Sequence, residues 1–346
     1  MWLPLLVLSV AQGVAYGSRV DLPFLRDFSA NVRFLVALPI LILAESRIDR
    51  RWRQLAREFL RRRLVGAAEL PAFETTIESL TRWRDHFLPE AVIAVVALIP
   101  SLFVTQLEIL TTSNWHSLGP SGSEVSLAGW WFNLVSTPLF RFILLRWVWR
   151  MLMWTSFMWR VSRLDLHLSA THTDMAGGIG FLSEGQRAFG PIVFAGGAVV
   201  AGQVGNAIAY EGATLQSVQY HMIAYGILAI LVLAAPLLVV APLLIKVKRK
   251  ALFDFGALVT EHAQLFDAKW NRADRPAGEA ILGNPDASSL SDLGSSFAVV
   301  RSMSVVPIDR ATLISLAVAS ALPMLPVVLF ATPADEVIGA VIKMLG

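Results

Sequence analysis

Apolar residues in this chain are gathered in blocks, separated by shorter polar stretches. The blocks cover residues 1–17, 31–45, 89–110, 127–149, 191–210, 221–245 and 311–331. Several approach about 20 residues, the helical length that crosses the hydrocarbon core of a bilayer. A membrane β-barrel would instead show alternating segments of about 10 residues. The pattern therefore predicts an all-α polytopic membrane protein with about seven transmembrane helices and additional amphipathic cytoplasmic helices.

Composition supports the same class. The chain is 55% hydrophobic and 16% charged, and its mean hydropathy is +0.59, whereas soluble domains carry about 25% charged residues. It has no cysteine, which excludes disulfides, thiolate metal ligands and cysteine nucleophiles.

The first block, residues 1–17, leaves two interpretations open. It is apolar, and Ala15, Tyr16 and Gly17 are weakly similar to a signal-peptidase cleavage site. However, no basic segment precedes it and a second apolar block follows closely. We therefore favour a first membrane helix over a signal peptide.

Basic residues are distributed unevenly and predict the orientation. Eight arginines lie between Arg47 and Arg63, and residues 246–250 read Lys-Val-Lys-Arg-Lys. Segments 111–126 and 211–220 contain neither lysine nor arginine. Because basic segments stay in the cytoplasm, the N-terminus is predicted inside and the C-terminus outside. The arginines indicate contact with the lipid bilayer rather than with nucleic acid.

The blocks divide the chain into seven predicted regions. These are transmembrane helices 1 and 2 (1–45), basic and amphipathic cytoplasmic helices (46–88), transmembrane helices 3 and 4 with a cytoplasmic extension (89–163), a His/Gly loop (164–190), transmembrane helices 5 and 6 (191–245), a cytoplasmic helical segment (246–310), and transmembrane helix 7 with a terminal helix (311–346).

The His/Gly loop holds the densest set of chemically capable residues. His167, His172 and Asp174 supply imidazole and carboxylate groups that suit a divalent metal, and Glu184 follows on the same segment. Their spacing matches no established metalloenzyme motif. One interpretation is a metal ligand set or a proton relay. The other is a structural turn in which Asp174 caps a helix starting near Ala176.

A second group of polar residues falls inside the apolar blocks. Arg141 is the most costly of them, because a central arginine must face protein or water, or reach back to the lipid headgroups. Glu108, Asn133, Gln203 and Asn206 are its candidate partners, and Glu108, Gln203 and Asn206 would line a pore or transport pathway with it. A pore lined by Arg141 would favour anions.

Small residues recur at every fourth position in the fifth block. Gly197, Ala201 and Gly205 form a smooth helix face on which the backbone of a neighbouring helix can pack closely.

The phrase LHLSATHTDMAGGIGFL, with the later ILGNPDASSLSDLGSSFAVVRSMSVVPI, resembles a family of uncharacterised bacterial multi-pass inner-membrane proteins. That family carries a His-x-Asp-x-Ala-Gly-Gly-x-Gly-Phe-Leu motif. His172 and Asp174 stand in register with it, whereas Thr173 occupies a position where the family often has proline. The resemblance extends over most of the chain. It implies the bacterial inner (cytoplasmic) membrane and no particular activity.

The leading functional hypothesis is a channel or transporter for ions or small solutes, expected as a homo-oligomer. One alternative is a membrane-embedded, metal-dependent enzyme acting on a lipid-linked substrate, and another is a membrane sensor or scaffold. No catalytic residue is predicted, because no Walker A, nucleophile-elbow or carboxylate-rich metal motif occurs in the sequence.

Overall fold

Helices make up most of the molecule. The computed structural model describes residues 1–103, 114–118, 124–271 and 283–332, and about 78% of it is helical, which confirms the all-α class. The helices are α1 (Trp2–Ala11), α2 (Phe28–Arg61), α3 (Leu70–Asp85), α4 (Phe87–Phe103), α5 (127–161), α6 (Phe181–Arg187), α7 (Gly190–Tyr210), α8 (Leu215–Leu238), α9 (Ala241–Phe266), α10 (Pro285–Ser302) and α11 (Arg310–Ala331).

Shorter elements interrupt or join these helices. They are 3₁₀ turns at Phe24–Arg26 and Leu322–Met324, π-helical segments at Val32–Ala37, Phe132–Ser136 and Asp267–Asn271, and the strands β1 (Ser117–Leu118) and β2 (Glu124–Val125). The two strands pair antiparallel, with Ser117 opposite Val125. The 3₁₀ turn in α11 surrounds Pro323, where a break in the seventh apolar block was expected.

Four helical segments are long and apolar enough to cross a membrane. They are Phe28–Arg61, Phe181–Tyr210, Leu215–Leu238 and Arg310–Ala331. They correspond to the second, fifth, sixth and seventh apolar blocks and indicate a membrane location. The predicted number of seven transmembrane helices is not confirmed.

The first and third blocks form shorter helices in the described part of the chain. α1 has ten residues and spans only about 15 Å, roughly half of a bilayer core. The predicted helix over 1–17 is therefore wrong beyond Ala11, because Gly13, with φ +69°, turns the chain. The described part of α4 has 17 residues. Its predicted end near residue 110, Glu108 and the terminal helix at 333–345 lie outside the described residues.

The sixth block is two helices rather than one. α8 ends at Leu238, and α9 begins at Ala241 and continues through the basic run to Phe266. Pro242 lies in the first turn of α9. It lacks an N–H group and is readily accommodated only there, so the helix restarts at this point. The predicted span over 221–245 is corrected accordingly.

Buried apolar side chains form two cores. The first core contains residues of α1, α2, α5, α7, α8 and α11, and it includes Leu5, Phe34, Leu41, Phe140, Trp147 and Val193. The second core contains residues that flank or follow the apolar blocks, and it includes Phe59, Phe73, Phe157, Met158, Leu182 and Val300. Segments predicted to be cytoplasmic thus pack together around the second core. The predicted amphipathic helix is confirmed as α3, which buries Phe73 there.

Helix α7 packs against α2, α8 and α11. A Cβ on Gly197 would lie 2.7 Å from the Ser320 carbonyl oxygen, and one on Gly202 would lie 3.0 Å from the Phe28 carbonyl oxygen. Ala201 is buried between them. Gly205 is less constrained, because its nearest neighbour would be the Phe28 ring at 3.5 Å. Close backbone packing therefore occurs at Gly197, as predicted, and also at Gly202.

Candidate functional site

The carboxylate of Asp174 organises the His/Gly loop. Its Oδ1 accepts hydrogen bonds from the N–H groups of Ala176 (2.9 Å) and Gly178 (3.1 Å), and its Oδ2 accepts one from Gly180 (2.8 Å). Met175 and Gly178 adopt positive φ, which folds the chain around the carboxylate. Burial by itself would raise the pKa of Asp174, but the three backbone donors and nearby His172 lower it below its ordinary value. Asp174 thus organises a turn, whereas the helix that it was expected to cap near Ala176 begins only at Phe181.

The predicted metal ligands come together only in part. His172 Nδ1 lies 2.9 Å from Asp174 Oδ1. His167 packs instead on Gly66, where a Cβ would lie 2.9 Å from the imidazole Cε1. Within the described ranges, no group of three His, Asp or Glu side chains is arranged to hold a metal ion. A divalent metal at this loop therefore stays a prediction. Two of its candidate ligands, His172 and Asp174, lie next to each other.

Glu184 belongs to a different cluster. It forms ion pairs with Arg187 (3.1 Å) and Arg51 (3.5 Å), and Arg187 also pairs with Asp309 (3.3 Å). These contacts join α6 to α2 and to the start of α11. Glu184 thus connects helices and makes no contact with His172 among the hydrogen bonds and ion pairs of the described residues.

The predicted pore residues occupy separate places. Arg141 is half-buried and donates a hydrogen bond from Nη1 to Ser101 Oγ (3.1 Å), so it faces α4. Asn206 bonds to Asp27 and to the Phe28 N–H group. Gln203 is exposed on α7. No hydrogen bond in the described part of the chain joins any two of Arg141, Gln203 and Asn206.

Asp27 forms a buried polar centre that sequence reasoning missed. Its carboxylate accepts hydrogen bonds from Trp115 Nε1 (2.9 Å), Asn206 Nδ2 (2.8 Å) and the Ala30 N–H group (2.9 Å), while His116 Nε2 lies 3.8 Å away. Burial alone would raise the pKa of Asp27, but these neighbours together lower it to about 2. In the sequence, an aspartate directly before an apolar helix indicates an N-cap. Its partners Trp115 and Asn206 are distant along the chain, so no local pattern indicates these hydrogen bonds.

A network of four charges joins α2 to α5. Glu45 Oε1 lies 2.6 Å from both Arg146 Nη2 and Arg150 Nη2, and Arg150 Nη1 pairs with Asp49. Both acids and both arginines are four residues apart, which places each pair on one helix face. Arg150 is the most buried of the four, with 11% of its side chain exposed. The network therefore lies between two helices and is largely shielded from solvent.

A cleft lies beside this network, between α2, α3 and α5, and has a volume of about 150 Å³. Trp52 and Trp154 line it with their rings stacked, 5.2 Å apart between centroids and 5° between planes. Its charged lining residues are Asp49, Arg53, Arg84 and Arg150, and its other apolar ones include Ile77, Leu80, Met153 and Phe157.

The indole N–H groups of Trp52 and Trp154 are buried, and no acceptor among the described residues bonds to them. An unpaired buried donor costs about 1–3 kcal/mol. The cleft itself combines apolar walls with cationic and anionic groups, which suits a small charged or amphiphilic solute.

No protein-family model, no curated protein and no solved structure matches this chain. The resemblance to the uncharacterised bacterial membrane family therefore stays a prediction.

Proposed function

We propose that this chain is a membrane channel or transporter for ions or small charged solutes, and that the cleft lined by Trp52 and Trp154 is its solute site. The observation that carries the proposal is the network of Glu45, Asp49, Arg146 and Arg150, of which Asp49 and Arg150 line that cleft. Charged side chains on membrane helices are costly, and they commonly mark a path for ions or substrates.

The geometry also indicates how such a path would begin. The cleft is lined by residues 49–56 of α2 and 149–157 of α5, and the charge network continues from it to Glu45 and Arg146. A solute in the cleft would therefore meet paired charges next, and exchange of an ion-pair partner would pass it on. Arg141 lies one turn further along α5, bonded to Ser101.

The metal-dependent enzyme has less support. The carboxylate of Asp174 already accepts three backbone hydrogen bonds. Of the two adjacent candidate ligands at that turn, Asp174 is therefore largely occupied by the protein's own backbone. The sensor or scaffold hypothesis rests on the helical second core alone.

The proposal includes a location in the bacterial inner membrane, with the arginine-rich end of α2 and the 246–250 run inside and α4 and α5 as further spans. It is supported by the second core, which gathers the segments that follow the arginine-rich run and the 246–250 run. Because the chain has no cysteine, single cysteines at Thr171 and Glu124 can be labelled from either side of intact cells. Labelling of both from the same side would contradict this orientation.

Transport is tested by reconstituting the purified protein in liposomes and measuring Na⁺, K⁺ and Cl⁻ flux with fluorescent indicators. Replacing Glu45 by Gln removes the anion shared by Arg146 and Arg150, and we expect flux to change at least about tenfold, the usual consequence of losing about 1.4 kcal/mol.

Glu58→Gln is the matched control, because Glu58 lies on the same helix and also pairs with two arginines, Arg61 and Arg62, but away from the cleft. Its flux is expected to equal that of the unmodified protein. Flux no faster than in protein-free liposomes, or an equal effect of both substitutions, would contradict the proposal.

A further inference from the structure

A second, larger cleft lies where α5 ends and α9 begins. Its volume is about 840 Å³, and its lining includes Trp159, Arg163, Asp165, Leu243 and Lys246. It shares no lining residue with the cleft of Trp52 and Trp154.

The position of this cleft matches the edge of a membrane. Helix α8, one of the four candidate spans, ends at Leu238, and the lining of the cleft begins at Val239. On the other wall, Trp159 is 50% exposed. Tryptophan is enriched at the level of the lipid headgroups, where its ring meets both apolar and polar surroundings. A groove at this level is open to lipid rather than only to water.

The N–H donors of its cationic groups form no hydrogen bond or ion pair within the described part of the chain. The Arg163 guanidinium lies over the Trp159 ring, 4.9 Å from the centroid. Neither Arg163 nor Lys246 forms an ion pair within the described parts of the chain. By contrast Lys248, two residues further along α9, donates to the Met303 carbonyl oxygen at 2.7 Å. Asp165 is the acid in the lining, so the cleft carries two cations and one anion.

We propose that this cleft binds one anionic phospholipid. The phosphate would accept hydrogen bonds from Arg163 and Lys246, since a guanidinium offers a planar pair of donors and an ammonium a point charge. An acyl chain would lie against apolar lining residues such as Leu243 and Pro242. Basic grooves beside membrane helices recognise anionic headgroups in this way. Lipid binding at this cleft does not require that the protein transports a solute.

The test uses the full-length protein, delipidated in detergent, and native mass spectrometry to count bound ligand. The probes are phosphatidylglycerol, phosphatidylcholine with the same acyl chains, and inorganic phosphate. We expect phosphatidylglycerol to bind more tightly than phosphatidylcholine. Arg163→Gln and Lys246→Gln should each weaken it by about fivefold, the factor that corresponds to about 1 kcal/mol for each basic group. Asp165→Asn should strengthen it.

Lys250→Gln is the matched control, since Lys250 is exposed on the same helix and does not line the cleft. It should bind phosphatidylglycerol as the unmodified protein does. The proposal is overturned if the two lipids bind equally, if Lys250→Gln weakens binding as much as Lys246→Gln, or if inorganic phosphate competes fully with phosphatidylglycerol. Circular dichroism on each variant verifies that the helices are intact.

Discussion

Gly197 is a position at which the packing of α7 is sensitive to one added methyl group. A Cβ there would lie 2.7 Å from the Ser320 carbonyl oxygen and 2.9 Å from Pro323 Cγ. Neither atom belongs to a flexible side chain, so Gly197→Ala forces α7 and α11 apart. Overpacking of this kind costs about 1–3 kcal/mol, and alanine returns about 0.5–1 kcal/mol through its better helix propensity. We therefore expect a net loss of about 1–2 kcal/mol.

Gly205→Ala is the matched control on the same helix. Its Cβ would meet only the Phe28 ring, at 3.5 Å, which is ordinary van der Waals contact. The helix-propensity gain should therefore dominate and leave the protein unchanged or slightly more stable. Unfolding of the detergent-solubilised protein with increasing sodium dodecyl sulfate, followed by circular dichroism, gives the ranking. If Gly197→Ala is tolerated as well as Gly205→Ala, the packing of α7 on α11 described above is wrong.

Two further predictions concern buried carboxylates. The pKa of Asp27 is about 2 in the folded protein and 3.8 unperturbed. Its carboxylate therefore contributes about 2 kcal/mol to the free energy of unfolding above pH 4, and this contribution is lost as the pH falls towards 2. The pH dependence of the unfolding free energy should therefore be shallower in Asp27→Asn, and equal slopes would contradict this. Asp174→Ala should speed amide hydrogen exchange at Gly178 and Gly180 at least tenfold, since each loses an acceptor worth about 1.4 kcal/mol or more. His172→Ala leaves both carboxylate acceptors in place and should not change the exchange rate at these two glycines. Equal exchange rates in the two variants would contradict the assigned role of Asp174.

Local pattern was enough to predict several elements. The apolar runs predicted the helices that form the four candidate spans, and the spacing of Phe73 and its neighbours predicted α3. The 3₁₀ turn around Pro323 also follows from a local rule. The break between α8 and α9 was missed, because the apolar composition continues across Val239 and only Pro242 signals the new helix.

The candidate site was much less predictable, because it depends on contacts between distant residues. Arg146 lies in the fourth apolar block, but its partner Glu45 lies 101 residues earlier. Asn206 was assigned to a pore, whereas it bonds to Asp27 over a separation of 179 residues. Pattern predicts which face of a helix is polar, but it does not predict which other helix meets that face.

Helix α2 takes part in both cores, with Leu41 in the first and Phe59 in the second. Its 34 residues make a rod about 51 Å long, well beyond the thickness of a bilayer core. In a helix of this length, a small rotation at one end produces a larger displacement at the other. A rocking motion of about 10° about the π-helical segment Val32–Ala37 would carry its arginine-rich end sideways by several ångströms. A change in bilayer thickness or lateral pressure that tilts α2 would therefore move Trp52 and disturb its stacking on Trp154. This response would be mechanical and would need no diffusing signal.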